Sequence, residues 1–201
     1  MPRHQIRNLL LGLISAVCLG FTGFVAYSLV TQPALFQPPI GGPFALADVN
    51  GKRVTEADFE GRYRLIYFGY TYCPDVCPTE LIEMTHALEA FALEAPEAAE
   101  RVTPIFITVD PSRDTPAALR AYMAHFHPRF VALSGSEAEI AAAAQGFKVT
   151  YRKIPGEDGQ DYLMDHTAYV FLMGPEGRYV THFTAQEDTA AMTRQLARLV
   201  Q

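Results

Sequence analysis

Two short apolar runs with a helical pattern between them limit what this chain can fold into: RLIYFGY over Arg64–Tyr70 and VTPIFITVD over Val102–Asp110. Both are nearly continuous in apolar residues rather than alternating, which is how strands buried on both faces of a sheet read. Between them, Thr79–Leu93 repeats its apolar residues at helical spacing. The alternation continues downstream. Asp114 or Thr115 is placed to cap a helix whose first turn holds Pro116 and which runs to about Phe126. Phe130–Leu133 reads as a brief strand, and Ser136 caps an Ala-rich helix running to Gln145 and stopped by Gly146. A hairpin stands at each end: FALADV-NG-KRVT turns at Asn-Gly, AYVFLMGPEGRYVTHFT turns at Pro-Glu-Gly, and a last helix follows over about Glu187–Leu199. Strands and helices alternating between two hairpins predict a mixed central sheet covered by helices, a three-layer α/β sandwich.

Ahead of this domain no charged residue occurs from Leu9 to Val30. A helix of that length, rising about 1.5 Å per residue, crosses a hydrocarbon core about 30 Å thick. Arg3 and Arg7 precede the run and no Lys or Arg follows before Lys52, so the positive-inside bias holds the N-terminus in the cytoplasm and exports the rest. The expected organisation is a cytoplasmic N-terminus over residues 1–8, a transmembrane anchor over 9–30, a Pro-rich tether over 31–42 and one globular domain over 43–201. A cleaved signal peptide shares the basic start and apolar middle, but the run is long for one and no clear A-x-A site closes it. Lipidation at Cys18 asks for a small preceding residue, whereas Val17 is β-branched; Cys18 reads as an apolar residue within the membrane.

Cys73 and Cys77, in TYCPDVCPTE, then lie on the exported side, where thiols are driven toward disulfides. A domain this rich in Leu, Ile, Val, Phe and Tyr buries a core without a staple, which frees the pair for chemistry. Pro74 and Pro78 both suit the start of a helix, and Pro78 disfavours helical backbone at Cys77, so the pair is expected in the turn between a buried strand and the next helix. That is the carboxyl edge of the sheet, where open α/β sheets place ligands and where a helix N-terminus lowers thiol pKa values; both thiols are expected to be reactive. Residues four apart on one turn have Cβ atoms about 5–6 Å apart, close enough to chelate one ion or, with slight closure, to bridge.

A third ligand discriminates between metal and disulfide. Two thiolates and one imidazole make a soft trigonal site that suits Cu(I) and tolerates Cu(II). The candidates are His86, His125, His127, His166 and His182. His166 lies at the mouth of a strand, where a side chain can face the carboxyl edge of the sheet, although a structural role is the default for a lone histidine there. His125 and His127 end a helix, a favourable place for positive charge, with an H-x-H copper site as the alternative. His86 on a helix flank and His182 on a hairpin read as solvated, and Met84 and Tyr70 read as core. A net charge of −6 and a pI near 5.5 argue against a nucleic-acid partner.

Three blocks in order, YFGYTYCPDVCPTEL, TVDPSRDTP and DYLMDHTAYVFLMGPEGRYV, resemble the signature blocks of the Sco/SenC copper chaperones. The resemblance covers most of Phe44–Gln201. It implies a thioredoxin-like fold, copper held as Cu(I) and Cu(II), and Cys73, Cys77 and His166 as the ligands. It further implies service in maturing the CuA centre of cytochrome c oxidase. The partners are then the CuA-bearing oxidase subunit and other periplasmic copper carriers or thiol-disulfide reductases. The domain is accordingly expected in the periplasm, on a single-pass anchor in a bacterial inner membrane, carrying metal rather than turning over a substrate. The resemblance, and not local spacing, makes His166 the third ligand. Asp110 reads either as a turn former at a strand end or as a carboxylate that supports the ligands or docks a partner. Asp165, next to the ligand in extended chain, is expected to point away from it and to support the loop. A thiol-disulfide reductase acting on the oxidase cysteines is the alternative and needs no His166. A peroxiredoxin-like peroxidase needs a peroxide-activating site that nothing in the sequence marks.

Overall fold

The computed structural model describes residues 2–31, 39–156, 161–185 and 187–200, in two compact units, Met1–Pro38 and Pro39–Gln201. In the first unit, α1 (Arg3–Thr31) is helical across the whole uncharged run. Its side chains are described without a break over residues 11–25, and among the described residues no helix is long and apolar enough to cross a membrane. Residues 32–38, most of the expected tether, lie outside the described residues.

The second unit is built on β1 (Ala45–Asp48), β2 (Arg53–Thr55), β3 (Tyr63–Gly69), β4 (Val102–Thr108), β5 (Val131–Ser134), β6 (Tyr151–Pro155), β7 (Tyr162–His166), β8 (Val170–Met173) and β9 (Tyr179–Phe183). Its helices are α2 (Val76–Glu94), α3 (Pro96–Glu100), α4 (Pro116–Met123), α5 (Glu137–Gly146) and α6 (Thr189–Leu199). Seven strands make one mixed sheet in the order β2-β1-β5-β4-β3-β8-β9, with β3, β4 and β5 parallel and the hairpin strands antiparallel. β3 and β4 are buried at every position, as two continuous apolar runs require. Successive residues of β3 feed opposite faces. Tyr67 meets Phe106, which meets Tyr122 of α4, while Phe68 meets Phe147 just beyond α5 and Phe171 of β8. Helices therefore cover both faces, and α2 lies along α6.

Three local expectations change, and the choice between the two caps offered for α4 is settled. Cys77 is the second residue of α2, not part of a preceding turn. Pro78 then stands in the first helical turn, where backbone N–H groups have no intrahelical partner, so its missing donor costs nothing and the bias against helical backbone before proline is overridden. Thr115, not Asp114, caps α4, accepting from the Ala118 N–H at 3.2 Å. Ser136 caps α5 as expected, but Gly146 is still helical and the left-handed residue is Lys148, at φ 57°. Finally, among the described residues β6 and β7 pair only with each other, as a separate two-stranded sheet. Their sequences, YRKIP and YLMDH, mix charges with apolar residues and leave most positions half-buried or exposed, which hides the strand period.

Candidate metal centre

The buried strand β3 ends at Gly69, and the chain turns through Thr71–Asp75 into α2. At Gly69 an added Cβ would stand 3.1 Å from the Cys77 sulfur and 2.9 Å from both the Phe106 and Tyr67 rings, so a glycine there lets the strand end pass beneath the thiol. Asp75, the N-cap of α2, makes no side-chain cap. The Cys77 N–H instead points at Cys73 Sγ, 3.3 Å away, so a sulfur takes one of the orphan donors at the positive end of the helix.

This geometry divides the two thiols, both of which the sequence predicts to be reactive. The hydrogen bond with the Cys77 thiol, then that with His166, hold Cys73 down to about 4. The same bond with Cys73, followed by burial and the Cys73 charge, pushes Cys77 well above its usual range. Cys73 is poised as a thiolate at 9% exposure, and Cys77 is a fully buried thiol.

His166 ends β7, on the small hairpin, and its Nε2 lies 3.3 Å from Cys77 Sγ. The Thr167 carbonyl lies 3.1 Å from Nδ1, a partner that fixes the ring orientation and leaves Nε2 for the sulfur side. Tyr67 and Tyr70 stand edge-on to the imidazole, at centroid distances of 6.2 and 5.8 Å. The Tyr67 hydroxyl is buried with no hydrogen-bond partner of full geometry; burial first, then the adjacent Cys77 sulfur, keeps it protonated. The donor atoms of Cys73, Cys77 and His166 all lie within 4.8 Å of one another. A d¹⁰ ion about 2.3 Å from sulfur and about 2.0 Å from nitrogen sets trigonal donors roughly 3.5–4 Å apart, so the set fits a soft ion with small adjustments.

The other predicted residues fall outside this triad. Asp110 is closed to solvent at its carboxylate, which accepts from Ser112, Arg113 and Tyr162. Burial works to raise its pKa, but those three hydrogen bonds outweigh it and hold the group below its usual range. Asp165 is exposed and paired with Arg152 across the hairpin at 2.9 Å, away from the sulfurs. His86 and His125 are exposed. His127 is occupied structurally, its Nδ1 accepting from the Arg129 N–H. His182 is not solvated as expected: it is half-buried, packed on Tyr169 at 4.8 Å with its Nδ1 2.6 Å from the Tyr179 hydroxyl. Met84 is core, as read. Tyr70 is core too, but its contact with His166 was not legible, nor were Tyr67, Asp114, Arg113 and Tyr162 as supports. The dense aromatic run YFGYTY before the first cysteine was the available signal for the tyrosines.

Residues 32–201 match the SCO1/SenC family model. The chain belongs to the SCO1/SenC family. A SCO2-like protein of Rickettsia felis is 41% identical over 145 residues, 72% of this chain and 69% of its own length. The mitochondrial SCO1 homolog 1 of Arabidopsis thaliana is 40% identical over 161 residues, 80% of this chain; the match spans 47% of that relative, about half its length. The structure of ScoI from Bradyrhizobium japonicum with copper bound is 46% identical, covers 79% of this chain and 98% of its own, and superposes with a TM-score of 0.71. The expected thioredoxin-like α/β fold with a mixed sheet is thus the fold of this SCO1/SenC chain.

Proposed function

We propose that this family member is a membrane-anchored copper carrier that delivers copper for assembly of the CuA centre of cytochrome c oxidase. The observation that carries this reading is the convergence of Cys73 and Cys77, from the β3–α2 junction, with His166, from the separate β6–β7 hairpin, within 4.8 Å. Copper bound in the solved Bradyrhizobium relative supports copper as the cargo. Cys73, already a thiolate, and Cys77, which would release its proton on binding, would hold Cu(I), and His166 would complete a site that also accepts Cu(II). A disulfide between the cysteines has no thiolate to offer, so oxidation empties the clamp and the redox state of the pair governs loading. The recipient is the CuA-bearing subunit, reached at the carboxyl edge of the sheet, with other periplasmic copper carriers or reductases as further partners. The uncharged helical run from Leu9 to Val30 anchors the chain in a bacterial inner membrane, with Arg3 and Arg7 inside and the globular unit in the periplasm.

A second reading has its own support. A thiolate held down to about 4 beside a buried thiol is the asymmetry expected of a thiol-disulfide reductase, which could keep the oxidase cysteines reduced. His166→Ala separates the two, because it keeps both sulfurs. In a cell lacking the wild-type gene, a CuA deficit in ordinary medium that added copper relieves is the outcome for a copper carrier. Full CuA assembly with this variant in ordinary medium assigns the role to thiol reduction. Alkaline extraction of membranes from the same cells tests the anchor: the full-length chain should stay in the pellet, and a soluble form starting near Gln32 refutes it.

A further inference from the structure

The segment Asp110–Asp114, between β4 and α4, supplies none of the three donors yet touches both halves of the site. Toward the cysteines, the Asp114 carboxylate accepts from the Thr71 hydroxyl at 2.6 Å and from the Thr71 N–H at 3.1 Å, two residues before Cys73. The neighbouring Arg113 guanidinium lies over the Tyr72 ring at 4.7 Å. Toward the histidine, Arg113 Nη1 donates to Asp161 Oδ1 and to the Tyr162 carbonyl, both at 2.9 Å, and the guanidinium stacks on the Tyr162 ring at 3.6 Å. The guanidinium is itself fixed: its Nε donates to Asp110 Oδ2 at 2.5 Å, and the Tyr162 hydroxyl donates to Asp110 Oδ1 at 2.8 Å. Tyr162 opens β7 and His166 closes it. Because, among the described residues, β6 and β7 pair only with each other, no strand ladder there ties this hairpin to the seven-stranded sheet. Beyond the three-residue link from His166 to β8, its placement over the cysteines falls to side chains, and Arg113 reaches both sides.

We propose that Arg113 is a positioning residue for the metal site. Anchored by Asp110, it clamps the β6–β7 hairpin against the cysteine loop and thereby sets the separation of His166 from Cys73 and Cys77. This rests on the three-ligand reading above. Four residue steps of strand lead from Tyr162 to His166, about 13 Å of lever, so a small rotation at Tyr162 displaces His166. A planar guanidinium fork can hold a carboxylate, a carbonyl and an aromatic face together; an ammonium cannot. Removing a group that orients a metal ligand lowers affinity by about 10- to 100-fold.

The test uses the full chain in detergent, as wild type, Arg113→Met, Arg113→Lys and Tyr162→Phe. Amide exchange of the metal-free protein reads the clamp without copper. Arg113→Met should speed exchange over residues 151–155 and 162–166 by about 10-fold or more while β3 and β4 keep their protection. Loaded with Cu(II), it should lose about 10- to 100-fold in affinity together with the nitrogen coupling in its spectrum, whereas Cu(I), held by two thiolates, stays within about threefold. Arg113→Lys should not restore the nitrogen signature, and Tyr162→Phe, which keeps the stack and loses the hydroxyl's hydrogen bonds with Asp110 and Ser112, should fall between. An unchanged hairpin exchange and Cu(II) spectrum in Arg113→Met overturns the proposal. So does an equal loss of protection in the hairpin and the core strands, which marks general fold support. Should Arg113→Met not fold, Tyr162→Phe with wild-type exchange and spectrum overturns it equally. If His166→Ala keeps the wild-type Cu(II) spectrum, the ligand reading fails, and the exchange measurement still decides the clamp.

Discussion

The two regions that meet at the metal site are built in opposite ways. Cys73 and Cys77 follow a strand buried at all seven positions, paired on both sides, and lead into a 19-residue helix whose first turn caps itself on a sulfur. His166 comes from a hairpin whose strands, among the described residues, pair only with each other, are half-buried or exposed at most positions, and are held by a guanidinium, a carboxylate and a tyrosine. Backbone ladders position the sulfurs; side-chain contacts position the nitrogen. Such elements open locally at very different free energies, with the hairpin at the low end. On the proposed copper-carrier reading, His166 is therefore the donor that can leave first, which suits a protein that must both hold an ion and release it.

That contrast can be broken or sharpened by experiment. The largest effect is expected on the rigid side: Cys77→Ala should lower Cu(I) affinity by about 1,000-fold or more in a competition titration, since one thiolate cannot form the soft site, while the fold loses only about 1 kcal/mol for a small buried group. Retained tight Cu(I) binding would break the division of labour at its root. On the hairpin side, His166→Ala should weaken Cu(II) by about 10- to 100-fold, remove the nitrogen signature and leave Cu(I) nearly unchanged. Equal losses for both ions would mean that the imidazole is no more dispensable than the sulfurs.

Smaller still is a pH effect carried by the cysteine pair. Cys73 sits below its usual pKa when folded, so its contribution is present above the unfolded value near 9 and is lost as pH falls through about 4. Between those limits the unfolded chain binds one proton more than the folded one, and stability rises with pH. Cys77, pushed up, reverses the slope above about pH 9, where the folded chain keeps a proton that the unfolded chain has released. In urea unfolding of the reduced protein, wild type should gain on the order of 1–3 kcal/mol over Cys73→Ser between pH 5 and pH 8; a flat difference refutes the thiolate. The smallest effect belongs to the outer face of the hairpin. Asp165→Asn removes an ion pair whose side chains are 57% and 73% exposed, and should change stability by less than about 0.5 kcal/mol and copper affinity by less than about twofold. A large copper defect in that variant would place Asp165 in the site.

How much could be read in advance follows the same divide. RLIYFGY and VTPIFITVD became β3 and β4 because a continuous apolar run has no alternative to burial on both faces. Ser136 was legible as a cap because capping is local chemistry, completed by Glu139 three residues on. YRKIP and YLMDH were not legible as strands, since a ribbon lying on the surface needs no apolar period. Asp114 read as one of two helix caps because its nearest neighbours in sequence allow that; its partner Thr71 lies 43 residues away. Arg113 carried little local signal, for of its three aromatic neighbours and two carboxylates, drawn from three segments, only Asp110 is near it in sequence.

The sequence by itself determined the sheet core, the position of both cysteines at the carboxyl edge of a buried strand, and, through three ordered blocks, the family. These depend on periodicity, capping and spacing, which act within about a dozen residues. Tertiary structure decided the rest. It brought Cys77 Sγ and His166 Nε2 to 3.3 Å across 89 residues of chain. It also divided two similar thiols into a thiolate and a thiol, and made Asp110 a buried anchor for Arg113 instead of a surface carboxylate. Distances between remote segments and the burial of ionisable groups are set by packing, and neither is written in local order along the chain.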